Sequence, residues 1–166
     1  LIEWDFWQLE EPGLAILFLA AKGKENKDLF DSSFQPRVGI YNQYHHGEMN
    51  ALHISYFRRK ATKERAFCTC NLRKSYGFHM VAQGADPLPT VADAQPPYHF
   101  AVLKSGPYFM LTINQLEILR WRDDGSTYGP ILEGGRIGFR QMAPLVAEYA
   151  NLTVQSIDPI AESIAS

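Results

Sequence analysis

Hydrophobic and polar residues alternate in short runs along most of the chain, and Gly, Pro and Asn separate the runs. Alternation with a period of two is typical of β-strands that bury one face, whereas helical periodicity is nearly absent. The pattern predicts ten strands, over residues 2–7, 14–20, 51–58, 67–72, 77–82, 98–104, 108–113, 117–121, 136–141 and 148–155. The sequence therefore predicts an all-β protein.

The connections between these runs are of two kinds. Gly106-Pro107 and Asn114-Gln115 each join neighbouring runs and indicate tight hairpin turns. Segments 23–47 and 84–97 are much longer, and loops of this length are uncommon unless they are functional. Ten strands in one domain bury their apolar faces only as a sandwich, jelly roll or barrel, and strands with one apolar and one polar face favour the first two.

Composition excludes several classes of protein. The chain has 166 residues, 46% of them hydrophobic, which suits one globular domain. A net charge of −2 and the absence of any Lys/Arg block argue against a nucleic-acid partner. The longest apolar stretch, residues 13–21, is less than half of the roughly 20 residues that a membrane-spanning helix needs. Neither nucleic acid nor a membrane is predicted as a partner.

The chain ends and the cysteines bear on domain organisation and compartment. The sequence begins at Leu1 within an alternating run, so we interpret it as a domain over residues 1–157 that lacks its natural start, with a short tail over 158–166. Cys68 and Cys70 have a spacing that suits a disulfide badly. Free thiols favour a reducing, cytoplasmic compartment.

Eight segments carry a resemblance to known proteins. Residues 100–106, 109–114, 135–140 and 149–154 resemble the closing half of a concanavalin A-like lectin/glucanase domain. Residues 3–7 (EWDFW), 43–47 (QYHHG), 55–60 (SYFRRK) and 71–78 (NLRKSYGF) resemble YesU-like proteins, a bacterial family of unassigned function in that superfamily. The similarity runs almost end to end, although family members usually carry further N-terminal strands.

The resemblance implies a concanavalin A-like β jelly roll or sandwich of two antiparallel sheets. It also implies a carbohydrate context, because some members are associated with genes for breaking down pectic rhamnogalacturonan. An oligosaccharide or polysaccharide is therefore the expected ligand. The resemblance supplies no catalytic residues, so candidates for these are taken from the sequence itself.

Alternation assigns side chains to the two faces of the predicted strands. In the strand over 51–58, the core-facing residues are Leu52, Ile54 and Tyr56, and the other face carries His53, Ser55 and Phe57, with Arg59 just beyond. In the strand over 136–141, Ile137 and Phe139 face the core, and Arg136, Gly138 and Arg140 face outward.

A groove with exposed Arg and His side chains suits an anionic sugar. Arg binds a carboxylate through two hydrogen bonds, and His and Tyr transfer protons near neutral pH. This mixture fits β-elimination at a uronic acid, which needs a neutralised carboxylate, a base and an acid. The candidates for proton transfer are Tyr44, His45, His46, His53 and Tyr76, and those for substrate binding are Trp7, Arg59, Arg73, His79 and Arg140.

Two other functions stay open. Glu3 and Asp5 share one strand face with Trp7 and are candidates for the carboxyl pair of a retaining glycoside hydrolase, although Leu9 stands where jelly-roll glucanases need a third acidic residue. The other alternative is a lectin-like carbohydrate-binding module without catalysis. A binding module would lose only affinity when its groove histidines are replaced, whereas an enzyme would lose turnover.

No metal site or other cofactor is predicted. His45-His46 and Cys68-x-Cys70 are zinc-compatible ligand types, but their spacings do not match the usual zinc motifs. Asp123-Asp124-Gly125 lacks the alternating acidic ligands of a calcium loop and indicates a turn. A structural calcium held by backbone carbonyls would leave no motif in the sequence.

Overall fold

The computed structural model describes residues 1–59 and 68–159. It contains ten strands within these residues: β1 (Ile2–Glu10), β2 (Gly13–Gly23), β3 (Met49–Arg59), β4 (Thr69–Ser75), β5 (His79–Ala85), β6 (Tyr98–Ser105), β7 (Tyr108–Ile113), β8 (Leu116–Arg122), β9 (Arg136–Met142) and β10 (Val146–Val154). Each overlaps one predicted strand, so the all-β class is confirmed. Residues 60 and 67 of the quoted segments and residues 160–166 of the predicted tail lie outside the described part.

The strands form two five-stranded antiparallel sheets. The first sheet has the order β10-β1-β6-β7-β8, and the second has the order β5-β4-β3-β2-β9. Asn114 and Gln115, which join β7 to β8, have φ values of 48° and 66°, the left-handed conformation that a two-residue hairpin requires. The expected sandwich of two antiparallel sheets is confirmed.

The core lies between the sheets and is rich in aromatic rings. Trp4 of β1 is fully buried and stacks on Phe100 of β6, with ring centroids 4.8 Å apart. From the second sheet, the rings of Tyr56 and Phe139 approach Trp4 at 5.9 and 5.4 Å. The predicted core residues of β3 and β9 are confirmed, because Leu52, Ile54 and Tyr56 are buried in this core and Ile137 and Phe139 pack against it.

Two predicted orientations at the end of β3 are wrong. Phe57 has a φ of 47° and is buried in the same core as Tyr56, because the β2–β3 register shifts here and breaks the alternation. Arg59, a predicted sugar-binding residue, is only 2% exposed. Its Nη1 donates to Asp86 Oδ2 at 3.0 Å and its Nη2 to the Leu88 carbonyl at 2.8 Å, so it holds a buried ion pair.

The long segment between β2 and β3 covers part of the outer face of the second sheet. Leu14, Ile16 and Phe18 of β2 form a small second core there, against Leu29, Tyr41 and Tyr44 of the segment. Tyr41–Tyr44 is a short 3₁₀ helix. The predicted loop thus builds a layer of side chains above the sheet.

Among the described residues, no helix is long and apolar enough to cross a membrane.

Candidate functional site

Polar and aromatic side chains meet on the outer face of the second sheet, where the 3₁₀ helix crosses it. The residues are Tyr41, Tyr44, His45, His53, Arg73, Phe78 and Arg140, which we call the Tyr41 cluster. His46 and Tyr76 lie at its rim, with ring centroids 6.1 Å apart. Seven of the ten residues predicted to bind or transfer protons are therefore on one surface.

Strand pairing and loop hydrogen bonds fix this arrangement. His53 of β3 pairs with Arg73 of β4, and paired residues of neighbouring strands share a face. The 3₁₀ helix is tied to the β4–β5 turn, because the Gly77 N–H donates to the His45 carbonyl at 2.6 Å. Tyr41 and Tyr44 are three residues apart, which places both on one side of a 3₁₀ helix.

Two guanidinium groups lie on aromatic rings in the cluster. The Arg73 Cζ is 3.8 Å from the Phe78 ring centroid, and the Arg140 Cζ is 5.1 Å from that of Tyr41 and 4.8 Å from that of Tyr44. Their hydrogen bonds go to the backbone, from Arg73 to the Phe78 carbonyl and from Arg140 to the Gly39 carbonyl. Within residues 1–59 and 68–159, neither forms an ion pair.

His53 is fully buried beneath the 3₁₀ helix. Burial, with smaller contributions from the charges of Arg73 and His45, lowers the pKa of His53 to about 3, so its imidazole is neutral at physiological pH. Its Nε2 lies 3.2 Å from the Tyr41 hydroxyl. The predicted proton transfer by His53 to a ligand does not fit this placement, and His53 instead positions Tyr41.

Tyr41 and Phe78 are the two cluster residues that the sequence analysis missed, and Tyr41 carries the polar group. Burial raises the pKa of Tyr41, while the charges of Arg73, Arg140 and Arg58 act in the opposite direction. Its hydroxyl is thus protonated at neutral pH and lies among positive charges. The three-residue spacing from Tyr44 was the available signal, because it places both rings on one face only if the loop is helical there.

His45 and His46 form a pair at the open side of the cluster. Their Nδ1 atoms are in hydrogen-bond contact, and the His45 ring lies 4.5 Å from the Phe78 ring. Burial, then the charges of His46 and Arg73, lowers the pKa of His45, so it is a neutral base at pH 7. Tyr76 is half exposed. His45 can therefore accept a proton from a bound ligand.

Two predicted substrate-binding residues lie elsewhere. His79 pairs with Lys74, on the opposite face of the sheet from Arg73, and its ring stacks on Tyr128 at 4.5 Å. The prediction that His79 shares one groove with Arg73 and Arg140 is wrong, because His79 lies on the side of the sheet that carries the buried Lys74. Trp7 is on β1 of the first sheet, so it does not face the Tyr41 cluster.

The alternative carboxyl pair lies on the outer face of the first sheet, where His99 bridges it. His99 Nδ1 is 2.8 Å from Asp5 Oδ1, and Nε2 is 3.3 Å from Glu3 Oε1. Asn151 donates to the other Asp5 oxygen at 2.7 Å. The bonds from Asn151 and His99 lower the pKa of Asp5. A retaining hydrolase needs one carboxyl group that stays protonated, and these contacts disfavour that role for Asp5.

The contacts of His99 predict a pH dependence of stability. The hydrogen bond to Asp5, followed by that to Glu3, raises the pKa of His99. A raised pKa stabilises the fold fully below the unfolded value of about 6.5, and this stability is lost as the pH rises through the folded value. The half-exposed ring limits the effect to less than about 1 kcal/mol. Urea unfolding from pH 5 to 9 measures it.

His99→Gln is expected to remove this dependence while keeping a polar side chain. His79→Gln, which changes a histidine with no carboxylate contact among the described residues, is the matched control and is expected to keep it. Identical pH profiles for the wild type and His99→Gln would show that the bridge does not stabilise the fold.

Among residues 1–59 and 68–159, no group of three or more His, Cys, Asp or Glu is placed to hold a metal ion.

Comparison with known proteins places this chain in a family. A family model described as a domain of unknown function, DUF1961, matches residues 1–154. The chain belongs to the DUF1961 family. The uncharacterized protein YesU of Bacillus subtilis (strain 168) is 56% identical to this DUF1961 chain over 154 residues, which cover 93% of the chain and 70% of YesU. The resemblance to YesU-like proteins is confirmed.

Solved structures confirm the fold of the DUF1961 chain. A crystal structure of a protein of unknown function with a galectin-like fold from Bacillus subtilis has a TM-score of 0.89 and 57% identity, covering 91% of this chain and 69% of that one. The carbohydrate binding module CBM66 from Bacillus subtilis has a TM-score of 0.54 and 14% identity, covering 91% and 71%. At this identity the likeness to CBM66 shows the fold alone.

Proposed function

We propose that this DUF1961 protein binds an acidic oligosaccharide or polysaccharide at the Tyr41 cluster. The observation that carries the proposal is the pair Arg73 and Arg140, whose guanidinium groups are held on aromatic rings and form no ion pair with a described carboxylate. A guanidinium binds a carboxylate through two charge-assisted hydrogen bonds. Neighbouring aromatic rings supply apolar surface for a sugar ring.

The fold supports a carbohydrate over other anions. The 57%-identical structure has a galectin-like fold, and a second structure of similar fold, with a TM-score of 0.54, is a carbohydrate binding module. The resemblance to YesU-like proteins directs the choice of acidic sugar toward pectic, rhamnogalacturonan-type chains. A uronate ring in such a chain carries the carboxylate that the two arginines require.

The proposal predicts selective binding of the acidic form of a sugar. Calorimetric titration with a galacturonate oligosaccharide is expected to show binding that weakens as salt is added, because salt screens the attraction between carboxylate and guanidinium. The same oligosaccharide with its carboxyl groups reduced to alcohols is the matched control and is expected to bind at least about tenfold more weakly. Equal affinity for both ligands would contradict the role of the arginines.

A second candidate function is β-elimination at the bound uronate. The observation that favours it is the His45–His46 pair at the open side of the Tyr41 cluster, in which a lowered pKa keeps His45 neutral. In this reaction a base removes the proton next to the carboxylate, an acid protonates the leaving oxygen, and a double bond forms. His45 is the base of this scheme, and the hydroxyl of Tyr44 or Tyr76 is the acid.

Turnover assays separate binding from cleavage. If the protein is a lyase, new absorbance from the unsaturated product appears, and His45→Ala lowers kcat by about 10²- to 10⁴-fold while calorimetry still shows binding. His79→Ala, on the opposite face, is the matched control and keeps full activity. Reducing ends without new absorbance would indicate hydrolysis and return attention to Glu3 and Asp5. Binding without either signal would indicate a lectin-like module.

A further inference from the structure

A groove runs along β9 and continues the Tyr41 cluster. Its volume is about 1370 Å³, above the roughly 300–1,000 Å³ of typical small-molecule pockets. Segment 29–37 forms one wall and residues 135–141 form the floor. Tyr44 and Arg140 belong to both the groove and the Tyr41 cluster. A ligand bound at Arg140 therefore has open space along β9, and the size of this space suits a chain better than a single sugar ring.

The floor of the groove is open at Gly138. A Cβ atom added at this glycine would meet no atom within 4 Å. Gly138 lies midway between Arg140 and Arg136, whose side chains share its face of β9. Four residues of strand separate the two arginines by about 13 Å, which leaves room for more than one sugar ring.

The far end of the groove is aromatic and has balanced charge. Phe30 is 70% exposed, and Asp28 fixes its position, because Asp28 Oδ1 accepts from the Phe30 N–H at 2.9 Å. The other Asp28 oxygen accepts from Arg136 Nη2 at 2.8 Å, and the Arg136 Cζ lies 4.9 Å from the Phe30 ring centroid. Arg37 also lies near this ring, and Asp31 lines the groove, so two carboxylates offset two guanidinium groups.

This difference in charge between the two ends points to a ligand that contains both acidic and uncharged sugar rings. Arg140 has no carboxylate partner among the described residues, whereas Arg136 is already paired with Asp28. The first end therefore suits an acidic ring, whereas at the second end Asp28 already occupies the guanidinium group of Arg136. Exposed Ser32 and Gln35 along the wall can hydrogen-bond sugar hydroxyls.

We infer that the β9 groove binds further rings of the same glycan chain, with an acidic ring at Arg140 and uncharged rings from Gly138 to Phe30. This inference rests on the proposed function. The ligand class is an acidic oligosaccharide that also contains uncharged sugars, and the protein should bind it more tightly than an isolated uronic acid.

Two ligands and three variants test the inference. The ligands are a uronic acid monosaccharide and an oligosaccharide in which the same uronic acid is extended by uncharged rings. We expect the extension to increase the wild-type affinity by about tenfold or more. Gly138→Leu, which fills the open floor, and Phe30→Ala are expected to lose this gain and to keep the monosaccharide affinity. Gly134→Leu, at another open glycine that does not line the groove, is the matched control.

The outcomes distinguish the inference from the proposed function. If the wild type binds both ligands equally, or if Gly138→Leu and Phe30→Ala both keep the full gain, the inference is wrong while acidic-sugar binding stands. If no acidic ligand of either length binds the wild type, the proposed function fails and the inference fails with it. A gain that is lost in the two groove variants and kept in Gly134→Leu supports the inference.

Discussion

Replacing Arg73 and Arg140 together by Ala is expected to lower the affinity for a galacturonate oligosaccharide by at least about a hundredfold. A hydrogen bond to a charged group contributes about 1.5–3 kcal/mol, so each arginine accounts for roughly a 10- to 150-fold change. Both side chains are on the outer face of the second sheet and outside the core, so the variant is expected to fold. Calorimetry gives the affinity, and circular dichroism checks the fold.

Two controls test whether charge and geometry both matter. Arg120→Ala removes one positive charge from the first sheet, where Arg120 pairs with exposed Glu117, and is expected to leave the affinity unchanged. Arg73→Lys with Arg140→Lys keeps both charges without the two-pronged geometry and is expected to retain partial affinity. A double Ala variant that binds as tightly as the wild type would show that the Tyr41 cluster is not the binding site.

The second large effect concerns stability. Asp123→Ala is expected to lower the free energy of unfolding by about 3–5 kcal/mol, because it leaves a buried ammonium group without its counter-ion. Lys74 is 1% exposed and Asp123 is 4% exposed, and Lys74 Nζ donates to Asp123 Oδ2 at 2.7 Å. Among the described residues, Lys74 Nζ has one further acceptor, the Gly129 carbonyl, 2.9 Å away. Urea unfolding at neutral pH measures the change.

The neighbouring residue supplies the matched control for this variant. Asp124 is exposed and, within the part of the chain that the structure describes, accepts hydrogen bonds only from Ser126 and Thr127 of its own turn, so Asp124→Ala is expected to cost no more than about 1 kcal/mol. Lys74→Met with Asp123→Leu, which removes both charges, is expected to recover most of the lost stability. Equal urea midpoints for Asp123→Ala and Asp124→Ala would show that the buried pair does not stabilise the fold.

The strands could be predicted because most of them bury one face. Alternation then marks both the strand and the orientation of its side chains, as at Ile137 and Phe139. The same rule fails at Phe57, since a register shift gives a non-glycine residue a positive φ and no local residue signals it. His79 was misplaced for a related reason. Alternation separates two faces, but it does not say which of them is the functional one.

The site depended on contacts that are distant in the sequence. The tyrosine and the two histidines of the 43–47 segment were predicted because ligand-binding residues concentrate on long loops, and the structure places Tyr44 on Arg140 and His45 against Phe78. The packing of that loop on the sheet decides which residues meet, and the local spacing of residues gives no information about this packing. The ion pair between Arg59 and Asp86 joins residues 27 positions apart, so the burial of Arg59 could not be predicted from the local sequence either.

The most direct test is a crystal structure of the protein bound to an acidic oligosaccharide. We predict a sugar carboxylate on the outer face of the second sheet, about 2.7–3.2 Å from a guanidinium nitrogen of Arg73 or Arg140. Density for the ligand on the first sheet instead, beside Trp7 and the Glu3–His99–Asp5 bridge, would contradict the assignment of the Tyr41 cluster as the binding site.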